Sequence, residues 1–139
     1  MNYLLDTCIV SELISKVPNK KVLNWIDSID EDKLFLSVIT IGELEKGINK
    51  LEPSKRRDEI SEWLHEDLLI RFKDRILILD TDILIDWGQL TASLENQGHK
   101  MPSIDSLIAA TAIRYNLCLA TRNEQDFQNC NIQLMNPWK

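Results

Sequence analysis

Cysteine, histidine and glycine are all scarce in this 139-residue chain, and each scarcity removes a class of chemistry. The three cysteines, Cys8, Cys118 and Cys130, are odd in number and form no Cys-x-x-Cys pair. That argues against a disulfide framework or a cysteine-based zinc site and fits reduced thiols in a cytoplasm. The two histidines, His65 and His99, lie far apart and near no cysteine pair. Gly42, Gly47, Gly88 and Gly98 are isolated, so neither a P-loop nor a GxGxxG phosphate cradle can be written, and the usual nucleotide-dependent chemistries drop out. No apolar run approaches the roughly 20 residues needed to cross a bilayer. The opening Met1-Asn2-Tyr3-Leu4-Leu5-Asp6 meets an acid too early to supply a signal-peptide core, so a cytoplasmic location is expected.

An excess of positive charge is also missing. Asp and Glu number 22 against 16 Lys and Arg, for a net charge of -6 and a pI near 4.9. Holding nucleic acid by bulk electrostatics calls for a pI above about 9. Either the acids form a solvated surface, or some of them gather into a pocket that takes up a divalent cation.

What is present is the composition of an ordinary globular protein, 44% hydrophobic and 27% charged. With no repeat, low-complexity tract or Pro/Gly/Ser linker, residues 1–139 are expected to form a single domain with a sizeable core. Short apolar runs at 3–5, 34–36, 75–79, 117–120 and 132–135 read as buried strands. Between them lie helical patterns near 7–16, 20–29, 41–51, 54–72, 81–97 and 104–115. The helix at 81–97 aligns Ile83, Trp87, Leu90 and Leu94 on one face. Alternating strands and helices predict an α/β domain on a mostly parallel sheet, in which ligands gather at the carboxyl ends of the strands.

Acids recur where such a pocket would form. Asp6 follows the first strand, Glu43 lies near the start of the helix after the second, Asp105 is in a first helical turn, and Asp126 follows the strand at 117–120. Each has a structural reading. Thr40-x-x-Glu43 has the form of a capping box. Asp105 suits the positive end of a helix. Asp6 fits an N-cap, and Asp126 fits a turn. Together they suggest more. Asp6 stands between an apolar strand and Thr7-Cys8-Ile9-Val10, and Asp105 lies beside a face expected to bury Ile104, Leu107, Ile108 and Thr111. Carboxylates converging near a core are costly unless a cation compensates, and Mg²⁺ prefers a few carboxylates while retaining waters.

At this point the blocks carry a resemblance. Asp6-Thr7-Cys8-Ile9-Val10-Ser11-Glu12 resembles the opening D-T-x-x-x-S-E of PIN-domain proteins. Ser37-Val38-Ile39-Thr40-Ile41-Gly42-Glu43-Leu44 resembles their second block. Asp105-Ser106-Leu107-Ile108-Ala109-Ala110-Thr111-Ala112 is similar to the third, and Ala120-Thr121-Arg122-Asn123-Glu124-Gln125-Asp126-Phe127 to the fourth. The ending Asn136-Pro137-Trp138 is similar to the FitB-like branch of VapC toxins. The resemblance spans nearly the whole chain and implies a three-layer α/β/α fold and a VapC-type toxin ribonuclease of a type II toxin–antitoxin pair. It further implies an RNA substrate, a VapB-type antitoxin partner and a homodimer.

By the same resemblance Asp6, Glu43 and Asp105 match the family's metal-site acids, for Mg²⁺ with Mn²⁺ as a substitute. The fourth acid of the pattern is replaced by Asn123, which can still accept a metal or water contact through its carbonyl but adds no charge; Asp126, three residues on, either makes up the charge or only fixes the loop. The implied chemistry is hydrolysis of a phosphodiester, with Glu43 or Asp126 orienting the attacking water. Lys50 and Arg57, in the basic stretch after Glu43, and Arg122 together with Asn123 are the expected substrate contacts. The competing reading is a catalytically impaired PIN-fold module that binds RNA or protein. Receiver and phosphatase folds also collect Asp at sheet tops, but the phosphatase D-x-D start is absent because Cys8 stands two after Asp6. Trp25, Trp63 and Trp87 are read as packing residues, and Cys8 as a small packed residue without a base to activate it.

Overall fold

The computed structural model describes residues 1–139 as a three-layer α/β/α domain. Its sheet contains β1 (Tyr3–Leu5), β2 (Leu34–Ser37), β3 (Ile76–Leu77), β4 (Cys118–Ala120) and β5 (Leu134–Met135), all parallel, in the order β3-β2-β1-β4-β5. Alternate strand residues feed opposite layers, as the two-residue period of a strand requires. Leu5, Leu34, Leu36 and Ala120 join one core with Ile9, Val22 and Leu64. Leu4 and Leu119 join the other with Ile108, Ala109 and Phe127, and Phe35 packs against it. Full coverage of both faces explains why the strands read as continuous apolar runs.

The first layer comprises α1 (Thr7–Leu13), α2 (Lys20–Ser28), α3 (Val38–Lys50) and α4 (Lys55–Glu62). From Trp63 to Leu68 the helix widens into a π-helical stretch before a last turn, α5 (Leu69–Arg71). Across this region Leu64, Leu68 and Phe72 are buried. The opposite layer holds α6 (Thr81–Asn96), α7 (Ser103–Arg114) and the short α8 (Glu124–Phe127). Both long helices there end in a Schellman motif. After α6, His99 N–H reaches Leu94 O at 2.8 Å and Gly98 has φ +80°. After α7, Leu117 N–H reaches Ala112 O at 2.9 Å and Asn116 has φ +52°.

Several sequence expectations shift. The strand expected over 75–79 keeps only Ile76–Leu77. Arg75 instead donates to Leu34 O at 2.7 Å and Arg71 O at 2.6 Å, while Ile78 is 63% exposed at the sheet edge. The second strand's helix starts at Val38, not 41, because Ser37 Oγ accepts the Ile39 N–H at 3.1 Å and caps it three residues early. Helix 7–16 stops at Leu13, and 54–72 is α only at its two ends. On α7 the expected buried Ile104 is 43% exposed, and burial falls on Ser106 and Ile108 through Ala112. Trp87 is half-buried and satisfies its indole N–H on Ser106 Oγ at 2.8 Å.

The strand order reverses direction between β1 and β4: the chain builds outward from β1 through β2 to β3, then returns to β1's other side. A crevice outside the carboxyl ends of the strands opens at such a reversal.

Candidate active site

Asp6 stands at that reversal. Its N–H extends the β1–β4 ladder to Ala120 O at 3.0 Å, and its side chain caps α1. Only 8% of the residue is exposed. Oδ1 accepts the Thr7 N–H at 2.9 Å and Oδ2 the Thr121 hydroxyl at 2.8 Å. Burial, with a smaller contribution from the negative charge of Glu43, raises the Asp6 carboxyl above its ordinary range despite these two donors. Thr121 is fully buried and its hydroxyl also accepts the Asn123 N–H at 3.0 Å, which fixes the loop leaving β4.

Glu43 reaches the same region from α3. The Thr7 hydroxyl donates to Glu43 Oε1 at 2.5 Å and lies 3.1 Å from the Thr40 hydroxyl. Thr7 thus touches two acids, Asp6 through its backbone and Glu43 through its side chain. The capping box expected from Thr40-x-x-Glu43 is not formed. With Ser37 as the cap, Thr40 is carried inside α3, fully buried, and both side chains turn to Thr7.

Asp105 sits half-buried in the first turn of α7. Burial first, then the charges of Asp6, Asp126 and Glu43, push its carboxyl from 3.8 to about 6. The charges of the other three acids named from the sequence therefore all reach Asp105, that of Asp126 from the exposed face of α8. No three of the four close on a common point as a finished cage. The donors are carboxylate oxygens whose mutual repulsion a cation would relieve. That set fits a small hard divalent ion that keeps several of its waters, and not a soft thiolate-seeking metal.

The expected substrate residues divide. Arg122 and Asn123 flank the acids and line a groove of about 360 Å³ with Gln125, Asp126, Asn136 and Lys139. Lys50 is exposed at the end of α3, about 10 Å along the helix from Glu43. Arg57 is engaged with Asn49 Oδ1 at 3.3 Å. Neither has a contact with the acids. A larger groove, about 510 Å³, lies between α6 and α7 and contains none of the candidate residues. There Arg114 pairs with Asp82 at 3.1 Å.

Cys8 is half-buried beside Asp6, and burial pushes its thiol up, away from the thiolate a nucleophile needs. The residues missed from the sequence are the hydroxyls of Thr7, Thr40 and Thr121. Each lay inside a motif block, directly beside or three residues from an acid.

The chain matches the PIN domain family over residues 3–131. It is 33% identical over 135 residues to Toxin FitB of Neisseria gonorrhoeae, with 97% of each chain covered. It is 33% identical over 136 residues to VapC ribonuclease Y4jK of Sinorhizobium fredii, covering 98% of this chain and 97% of that one. The crystal structure of FitAcB from Neisseria gonorrhoeae superposes with a TM-score of 0.93 at 33% identity, covering 98% of both chains.

Proposed function

The chain belongs to the PIN-domain family, and from that membership we propose that it is the ribonuclease toxin of a toxin–antitoxin pair, dependent on Mg²⁺ or Mn²⁺. The observation that carries this reading is that the charges of Asp6, Asp126 and Glu43 all reach Asp105, whose carboxyl is raised by burial and by them to about 6. Its relatives are named a toxin and a ribonuclease over nearly their full lengths.

Asp6, Glu43 and Asp105 would hold the cation. When bound, it supplies polarisation of a phosphodiester oxygen and a more acidic water. It also reverses the local charge, so an acidic pocket in an acidic protein attracts phosphate. Thr121 and Thr7 keep the Asp6 and Glu43 oxygens aimed, so little side-chain freedom is lost on loading. Glu43 has one oxygen committed to Thr7, whereas Asp126 is exposed and its carboxylate accepts no hydrogen bond. This favours Asp126 as the residue that orients the attacking water and accepts its proton, standing in for the missing acid at Asn123. An antitoxin partner, a homodimeric assembly and cytoplasmic RNA as substrate complete the reading. No helix is long and apolar enough to cross a membrane.

The test is cleavage of total RNA by purified, partner-free protein with Mg²⁺, with Mn²⁺ and with chelator, beside Asp6→Asn. Metal-dependent cuts that fall by about 10²–10⁴ in the variant are expected. Undiminished cutting in chelator, or by Asp6→Asn, would overturn the assignment. A folded, metal-binding protein that cuts nothing would favour the non-catalytic binding module instead.

A further inference from the structure

The chain has six arginines, and five direct their guanidinium at an acceptor within it. Arg56 donates to Ile14 O, Arg57 to Asn49, and Arg71 and Arg75 to Glu31. Arg114 pairs with Asp82 and Asp86. The Arg122 guanidinium alone donates to nothing, its backbone N–H reaching Cys8 Sγ at 3.5 Å. At the mouth of a pocket with four carboxylates, electrostatics would draw a free guanidinium onto an acid. Instead its carbon lies 5.3 Å over the ring of Trp138. Trp138 packs against the first core, and the segment around it is pinned. Asn136 Nδ2 donates to Glu124 at 3.1 Å and Lys139 Nζ pairs with the same carboxylate at 2.6 Å. A planar cation is thereby held against an aromatic while the residue stays exposed.

Arg122 lines the wholly polar groove of about 360 Å³, a volume within the usual range of ligand sites. Asp126 lines the groove and its charge reaches Asp105, so the groove borders the acids. The side-chain amides of Asn123 and Gln125 on its wall have no partner in the chain. Unstacked RNA bases stack on guanidinium planes and are read along their edges by amides.

Resting on the ribonuclease reading, we infer that this groove seats the nucleotide next to the cleaved phosphate, with its base stacked on Arg122 and its edge read by Asn123 and Gln125. Arg122 is then a specificity residue through its plane, and Trp138 positions it. A simple phosphate contact would need only its charge.

Arg122→Lys separates the two, because lysine keeps the charge and loses the plane. The wild type, Arg122→Lys and Gln125→Ala are compared on short single-stranded RNAs that differ at one base beside the cut. In Arg122→Lys, KM is expected to rise about tenfold with kcat nearly unchanged, the salt dependence to persist, and discrimination among the four bases to flatten. Gln125→Ala is expected to lower kcat/KM for the preferred base and to leave the other bases nearly unchanged. Wild-type KM and base preference in Arg122→Lys would overturn the inference, including where Arg122→Ala loses only salt-dependent affinity. A wild type that cuts no RNA defeats the ribonuclease reading instead. The groove is then decided by anisotropy of the same RNAs: weaker binding by Arg122→Lys supports it, while equal binding, or none by the wild type, overturns it.

Discussion

Replacing Asp105 by Asn is expected to stabilise the cation-free protein while destroying its activity. The Asp105 carboxyl is raised from 3.8 to about 6 by burial and by three neighbouring acids. A carboxyl raised on folding contributes stability that is fully present below about pH 3.8 and is lost as pH rises through about 6. Each pH unit between those values is worth 1.36 kcal/mol, so a fully shielded group would cost the fold about 3 kcal/mol at neutral pH. Asp105 is only half-buried, and solvent screening reduces this to about 1–1.5 kcal/mol. Asparagine has nearly the same shape and no charge to repel Asp6, Asp126 or Glu43. In chelator at pH 7.5 the variant should therefore melt about 3–5 °C above the wild type. Below pH 3.8, where Asp105 is mostly protonated in the folded and the unfolded chain alike, the two should melt together. Adding Mg²⁺ at pH 7.5 should raise the wild type and move the variant less, since binding to the folded state alone stabilises by mass action. Scanning calorimetry at both pH values, with and without Mg²⁺, makes the comparison. A variant that melts lower than the wild type at pH 7.5 in chelator would refute the electrostatic reasoning, as would a gap independent of pH.

Thr7→Val, which keeps the shape but removes the hydroxyl from Glu43, should weaken Mn²⁺ binding measured calorimetrically without RNA and lower kcat, on the order of tenfold each, whereas Thr7→Ser should restore both. Equal behaviour of Val and Ser would show that the 2.5 Å contact does not set Glu43. Gly98→Ala should destabilise the fold by about 1 kcal/mol in urea unfolding, because alanine resists the positive φ of the cap after α6. Asn116→Gly, at the matching position after α7, should be neutral or stabilising by the same measure.

The placement of the four acids was legible because they stood where apolar runs gave way to helical patterns, and those junctions are the carboxyl ends of the sheet. Asp6 as a helix cap was likewise local, and the structure keeps it. The support of Glu43 was not legible. Its partner Thr7 lies 36 residues away, and their meeting depends on how α1 packs on α3. A local pattern, Thr40-x-x-Glu43, even pointed elsewhere, and lost because Ser37 captured the cap first. The run at 75–79 misled because apolar residues at a sheet edge need not be paired or buried, as Ile78 shows. The π-helical stretch at Trp63–Leu68 left no mark that propensity or periodicity detects. The pairing of Arg122 with Trp138 joins the end of β4 to the segment after β5, again through the sheet and not the sequence.

The strand order has a consequence in time. The oldest strand, β1, waits beside an empty place that β4 fills more than a hundred residues later. Until then Asp6 lacks the Thr121 hydroxyl and the pocket lacks both Asp105 and Asp126. At about 5–20 residues per second, synthesis separates Asp6 from Asp126 by about 6–24 s. A growing chain that carries the first acid therefore lacks the complete set until the last of them has been made and β4 has taken its place. Chains stalled before residue 118 should accordingly cleave nothing, whatever cation is supplied.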